Sequence, residues 1–70
     1  MRLAIIKLRG NEILMELYSL DGGYIRGYNE TWEEARQNLR DANYEFLFEG
    51  GRGESHFEVW SIGIKGTGKE

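Results

Sequence analysis

The chain has 70 residues and no cysteine, and the absence of cysteine limits the ways in which so short a fold can be stabilised. Domains of this size bury only about 60% of the surface that the unfolded chain exposes, and disulfides, metal ions or oligomerisation commonly stabilise them. Disulfides and thiolate zinc sites are excluded, and the lone histidine, His56, argues against a histidine-rich metal site. Stability must come from packing of the 40% hydrophobic residues or from a partner, and we expect neither a cofactor nor a metal.

The chain contains ten glycines and no proline, and the glycines separate its apolar segments from one another. Gly10-Asn11 and Asp21-Gly22 are typical of tight hairpin turns, because glycine supplies positive φ angles without steric cost. Alternation of apolar and polar residues predicts strands over 2–9, 12–20, 24–28, 44–49 and 55–64. In the fourth segment three aromatic residues share one face, and in the last a change of face between Val59 and Trp60 predicts a bulge.

A capping box predicts the helix. The Thr31 hydroxyl is placed to accept from the Glu34 amide, and the Glu34 side chain is placed to reach back. The helix should run over about 32–42. Its apolar stripe is narrow and consists of Trp32, Ala35, Leu39 and Ala42.

These elements predict an α+β fold in β-β-β-α-β-β order, with one helix packed on a face of an antiparallel sheet of about five strands. Residues 1–64 form a single domain in this interpretation, and residues 65–70 form a flexible tail. The helix stripe is too narrow for both faces of such a sheet. Surplus apolar strand surface then needs a protein partner or a second copy, and pairing through an edge strand would give a homodimer.

Catalytic residues are hard to find in this chain. His56 is the only base that titrates near neutral pH, but Ser55 should lie on the opposite strand face and Glu58 supplies no nucleophile. We therefore expect His56 to face solvent, and the strand carboxylates to lie mostly at strand edges or outward positions. The segment Gly50-Gly51-Arg52-Gly53 lacks the features of a phosphate loop. We therefore predict that the protein is not an enzyme. The alternative hypothesis is a small enzyme in which His56 takes part in catalysis.

The net charge is −3, from 12 acidic and 9 basic residues. This balance disfavours nucleic-acid binding and suits a basic protein partner, such as a nucleic-acid-processing enzyme. No apolar run reaches the about 18 residues of a membrane helix. We expect a cytoplasmic protein without membrane contact.

The segment 23–42 resembles the HicB family of antitoxins, in which a β-meander leads into a helix with a Thr-x-Glu-Glu-Ala-x-x-Asn pattern. The matching residues are Thr31, Glu33, Glu34, Ala35, Asn38 and Ala42. The chain lacks the proline-containing segment that precedes the helix in that family, and two strands follow the helix where a DNA-binding segment would stand. The resemblance implies a domain that binds and blocks a protein, a small inhibitor or antitoxin-like regulator of the kind that phages and mobile elements encode.

A second resemblance keeps an alternative open. The strands, the Asp-Gly turn and the helix are similar to the three-stranded DNA-reading domains of plant transcription factors and integrase arms. A nucleic-acid interface would use Arg26, Arg36, Arg40 and Arg52 with nearby tyrosines, although Glu12 and Glu16 stand on the strands that should carry basic residues. The residues predicted to bind a partner are Tyr24, Arg26, Tyr28, Arg36, Arg40 and Trp60.

Overall fold

The computed structural model describes residues 2–62, and these form five strands, one α-helix and one 3-10 turn. The elements are β1 (Arg2–Arg9), β2 (Glu12–Ser19), β3 (Tyr24–Asn29), α1 (Trp32–Asp41), β4 (Glu45–Gly50), the turn Gly53–Ser55 and β5 (Phe57–Ile62). The predicted α+β class and β-β-β-α-β-β order are confirmed.

The strands form one antiparallel sheet in the order β3-β2-β1-β5-β4. β1 is central, and Ala4 pairs with Leu17 of β2 on one side and with Trp60 of β5 on the other. The two edges are β3 and β4. Since α1 follows one edge strand and precedes the other, it crosses a single face of the sheet from edge to edge.

The core lies between α1 and the central strands. Ala35 and Leu39 are the buried helix residues, and Trp32 packs partly buried against them. They meet a set of buried side chains that includes Ala4, Ile6, Ile13, Met15, Tyr44 and Trp60. Ala42 was expected in this stripe, but the helix ends at Asp41 and Ala42 is its exposed C-terminal cap.

The Thr31 half of the predicted capping box is present, but the Glu34 side chain reaches back to a different amide. Thr31 Oγ1 accepts a hydrogen bond from the Glu34 amide at 3.0 Å. Glu34 Oε1 accepts from the amide of Glu30 at 2.9 Å, one residue before the cap. The first bond satisfies an amide group that a helix start leaves without a partner, and the second fixes the residue that precedes the cap. The capping box therefore determines where α1 begins.

Four strands have boundaries that differ from the prediction. β3 continues to Asn29, and β4 runs over Glu45–Gly50 where 44–49 was predicted. β2 ends at Ser19, so Leu20 lies exposed in the hairpin turn and does not extend the strand. β5 begins at Phe57 and Ser55 belongs to the 3-10 turn. The predicted continuation of the last strand to residue 64 and the tail 65–70 lie outside the described residues.

The predicted bulge in the last strand is wrong. β1 and β5 pair in unbroken register through Val59 and Trp60, so these neighbours simply point to alternate faces. The irregularity lies in β4, between Phe46 and Phe48. The expected stripe of three aromatics on one face is therefore also wrong, because Phe46 pairs with Trp60 and Phe48 with Val59, while Tyr44 precedes the strand and is buried.

The loop between β4 and β5 generates a prediction about stability. A Cβ at Gly51 would lie 2.0 Å from the Ser55 carbonyl oxygen, and the φ angle there is +75°. At Gly53 φ is +53°, but nothing lies within 4 Å. Gly51→Ala should therefore lower the free energy of unfolding by more than about 2 kcal/mol, and Gly53→Ala by about 1 kcal/mol. Urea denaturation measures both, and equal losses would contradict the close approach at Gly51.

Candidate functional site

The sheet face opposite α1, called the open face below, is covered by no helix of residues 2–62. Leu14 and Val59 are buried there by neighbouring side chains, outside the cluster beneath α1. By strand register the face also carries Leu3, Ile5, Lys7, Glu16, Tyr18, Tyr24, Arg26, Tyr28, Phe48, Phe57 and Ser61. The protein thus has a second apolar layer whose outer surface meets solvent.

Three of the predicted partner-binding residues lie together on this face. Tyr24, Arg26 and Tyr28 alternate along β3, and we call them the β3 surface. The two tyrosines are 46% and 48% exposed, which leaves about half of each residue available for contact. Tyr24 packs on Tyr18, with ring centroids 5.2 Å apart.

A polar cluster holds Tyr24 in place. Its hydroxyl donates to Glu16 Oε2 at 2.8 Å, and Lys7 Nζ lies 3.4 Å from Glu16 Oε1. The hydrogen bond from Tyr24, assisted by Lys7, lowers the pKa of Glu16, and the same bond raises the pKa of Tyr24. Glu16 is therefore an ionised acceptor and Tyr24 a neutral donor at pH 7, and the ring is oriented before any partner arrives.

The other three predicted residues lie on the helix side. Trp60 is buried in the core, and the Arg40 guanidinium lies 5.8 Å from the centre of its ring. Arg40 also lies 3.3 Å from a Glu33 oxygen. Arg36 is partly buried and ion-paired with Glu58. The structure therefore separates the six predicted residues into two groups on opposite sides of the sheet.

Glu58 is the centre of the helix-side group. Its side chain is 3% exposed and accepts hydrogen bonds from three donors. Arg36 donates through Nε at 3.1 Å and also through Nη2, Trp60 Nε1 donates at 3.2 Å, and His56 Nε2 lies 3.2 Å from Oε2. Burial raises the pKa of Glu58, but these three donors together outweigh burial and lower the pKa to about 2. Glu58 was expected at an outward position, and this expectation is wrong.

His56 was expected to face solvent, but it is half-buried beside Glu58. Its ring packs edge-on against Trp32 with centroids 4.9 Å apart, and Nε2 also lies 3.5 Å from Glu49 Oε1. Within residues 2–62 its side-chain neighbours are two carboxylates and an indole, with no hydroxyl nucleophile among them. These contacts hold the His56 ring between Trp32 of α1 and the carboxylates of β4 and β5.

Glu49, His56 and Glu58 bring potential metal ligands within 4.8 Å of one another. The same Glu58 oxygens already receive the Arg36 guanidinium and the Trp60 indole. A divalent cation there would stand beside a fixed positive charge, which opposes its binding. The cluster is therefore best understood as an ion-pair network that fastens α1 to β5.

A concave region of about 650 Å³ adjoins the β3 surface at the β2–β3 turn. Its lining is mainly apolar and aromatic and includes Leu17, Tyr18, Leu20, Tyr24, Ile25 and Tyr44. Leu20 and Ile25 are among the most exposed large hydrophobic residues of the described chain. The exposed apolar surface around β3 thus continues past the tyrosines to the end of the sheet.

No protein-family model, curated protein or solved structure matches this chain. The resemblance of residues 23–42 to the HicB antitoxins therefore stays a prediction. Within residues 2–62, no helix is long and apolar enough to cross a membrane.

The Glu58 network leads to a prediction about acid stability. A pKa of about 2 against an ordinary value of 4.5 means that ionised Glu58 stabilises the fold above pH 4.5, and that this stabilisation is lost as the pH falls towards 2. Glu58→Gln should lower the free energy of unfolding at pH 7 by roughly 3 kcal/mol. The difference from wild type should shrink between pH 4.5 and 2.

Glu33→Gln is the matched control, because Glu33 is an exposed carboxylate that also contacts Arg36. It should cost less than about 1 kcal/mol. Denaturant titrations across this pH range measure both variants. A Glu58→Gln effect as small as that of Glu33→Gln, or one independent of pH, would contradict the network.

Proposed function

We propose that the protein is a non-enzymatic protein-binding module, an inhibitor or antitoxin-like regulator that holds its partner on the β3 surface. The observation that carries this proposal is the exposed Tyr24-Arg26-Tyr28 row on a sheet face without a covering helix in the described chain. Tyrosine and arginine dominate the energetics of protein interfaces. Because Tyr24 is already oriented by Glu16, little side-chain entropy is lost when a partner binds.

The charges of the open face favour a protein over a nucleic acid. Lys7 is bound to Glu16, and Arg26 stands opposite the same Glu16 across the strand pair. Arg9 stands opposite Glu12 in the same way. Each of these basic side chains therefore has an acidic neighbour, which opposes phosphate binding.

The nucleic-acid alternative would need its four arginines on one surface. Arg26 lies on the open face of β3, Arg36 and Arg40 lie on α1 against the other face, and Arg52 lies in the β4–β5 loop. Phosphate binding by such dispersed cations would be weak, so this alternative gains no support from the geometry. Because this chain has a net charge of −3, we propose that its partner is a basic protein, such as a nucleic-acid-processing enzyme. We also propose that the protein is cytoplasmic.

A photocrosslinking experiment tests the proposal. A benzophenone side chain is introduced at Tyr28 in one variant and at Gln37 in another, since Gln37 is exposed on the far side of α1. Both variants are irradiated in extract of the source cells at low and high salt. We expect one protein adduct at position 28, retained at high salt, and no such adduct at position 37.

Three results would count against this function. Adducts of the same pattern at both positions would indicate nonspecific contact. An adduct that contains only a second copy of the chain would indicate self-association. A gel shift with nucleic acid that disappears steeply with salt would favour the DNA-reading alternative.

A further inference from the structure

The path of α1 leaves one corner of the helix-side face uncovered. α1 begins after the end of β3 at Asn29 and ends before the start of β4 at Glu45, and these two residues lie at opposite ends of the sheet. At the corner formed by the β2–β3 turn, Leu17 pairs with Ile25 on the helix side. Ile25 is 66% exposed and Leu20 in the turn is 78% exposed. All three apolar residues line the concave region of about 650 Å³.

Tyr44 lines the same region from the core, and its hydroxyl lacks a partner in the described chain. The residue is 8% exposed and belongs to the core cluster beneath α1. Within residues 2–62 its hydroxyl makes no hydrogen bond, and no side-chain oxygen or nitrogen without a partner is sealed from solvent. The hydroxyl therefore opens into the concave region. Because buried tyrosine hydroxyls usually have a hydrogen-bond partner, this one points to a ligand.

Arg2 supplies a positive charge in the same region. It pairs with Ser19 across β1 and β2, and its side chain forms no ion pair or hydrogen bond within residues 2–62. Asp21 is the acidic residue of the lining, and the charge of Arg2 reaches it without an ion pair. Asp21 Oδ1 already accepts from the Ser19 hydroxyl and from the Gly23 amide. The Arg2 guanidinium is therefore available to a ligand.

The two available polar groups and the apolar walls define the chemistry of that ligand. A guanidinium has only donors, and a planar carboxylate accepts two of them in parallel. The Tyr44 hydroxyl adds a further donor. The negative charge of Asp21 opposes a doubly charged phosphate more strongly than a singly charged carboxylate. Concave regions of about 300–1,000 Å³ with apolar walls and a few polar groups commonly hold small molecules.

We propose that this concave region binds a small apolar carboxylic acid, whose carboxylate accepts hydrogen bonds from Arg2 and from the Tyr44 hydroxyl. The hydrocarbon body of the acid packs on Leu17, Leu20 and Ile25. This inference goes beyond the proposed protein-binding function and does not rest on it.

The test is a titration of the full chain with octanoate, followed by backbone-amide NMR. The controls are 1-octanol and octylamine, which carry hydrocarbon chains of similar length with a neutral and a cationic head group. We expect saturable shifts of the lining residues with octanoate, and binding of both controls that is at least about fivefold weaker.

Two variants remove the donors one at a time. Tyr44→Phe removes the hydroxyl and keeps the buried ring, so it should weaken octanoate binding by about threefold to tenfold and leave 1-octanol binding unchanged. Arg2→Gln should abolish the preference for octanoate over 1-octanol. Arg9→Gln is the matched control, because it removes the same charge at the other end of β1 and should bind octanoate as the wild type does.

The outcomes that would overturn the proposal are distinct from those of the crosslinking experiment. No saturable shift up to about 10 mM octanoate, shifts spread over the open face, or equal binding of octanoate and 1-octanol would each overturn it. Wild-type affinity for octanoate in Arg2→Gln would do the same. If Tyr44→Phe loses its dispersed NMR spectrum, Arg2→Lys replaces it and should weaken octanoate binding, because lysine lacks the planar fork. None of these results bears on crosslinking at Tyr28.

Discussion

The size of α1 relative to the sheet determines both the core and the exposed surface. Within residues 2–62 a single ten-residue helix, about 15 Å long, faces five strands whose outer members are about 19 Å apart. Its buried residues join the core cluster with side chains of β1, β2 and β5, and it lies closest to β2 and the edge strand β3. It leaves the other edge strand, β4, and the opposite face of the sheet largely exposed. Exposed apolar side chains therefore collect on the open face of β3, at the β2–β3 turn and on β4, and we assign recognition to the β3 surface.

The Glu58 network compensates for the narrow apolar stripe of α1. Two fully buried helix residues, Ala35 and Leu39, bury little area, and area alone does not specify how a helix sits on a sheet. Arg36 adds a directional contact, because its planar guanidinium meets both oxygens of a carboxylate on β5. Buried ion pairs contribute modest net stability but are costly to break. We infer that this network orients α1 and so keeps the edges of the sheet open.

Local signals predicted the parts of the fold that depend on neighbours in sequence. Thr31 and Glu34 placed the helix start, and Asp21-Gly22 placed a hairpin. The bulge in β4 was missed because it is defined by the register with β5, which no local pattern contains. Glu58 was missed for the same reason, since Arg36 lies 22 residues earlier in the chain. One signal was available: Glu58 alternates with Trp60 and Ile62, so an acid on the apolar side of a strand required a buried cation.

For the site, Tyr24, Arg26 and Tyr28 could be grouped by strand alternation, but the separation of Arg36, Arg40 and Trp60 from them required the path of α1.

We infer that the exposed apolar surfaces of this chain bind a different protein and are not covered by a second copy. Sedimentation velocity of the isolated chain, combined with amide hydrogen exchange of the same sample, tests it most directly. We expect a folded monomer at micromolar concentration, with slow exchange in β1, β2 and β5 and faster exchange along the outer edges of β3 and β4. A stable dimer in which the amides of β3 or β4 are as protected as those of β1 would contradict it.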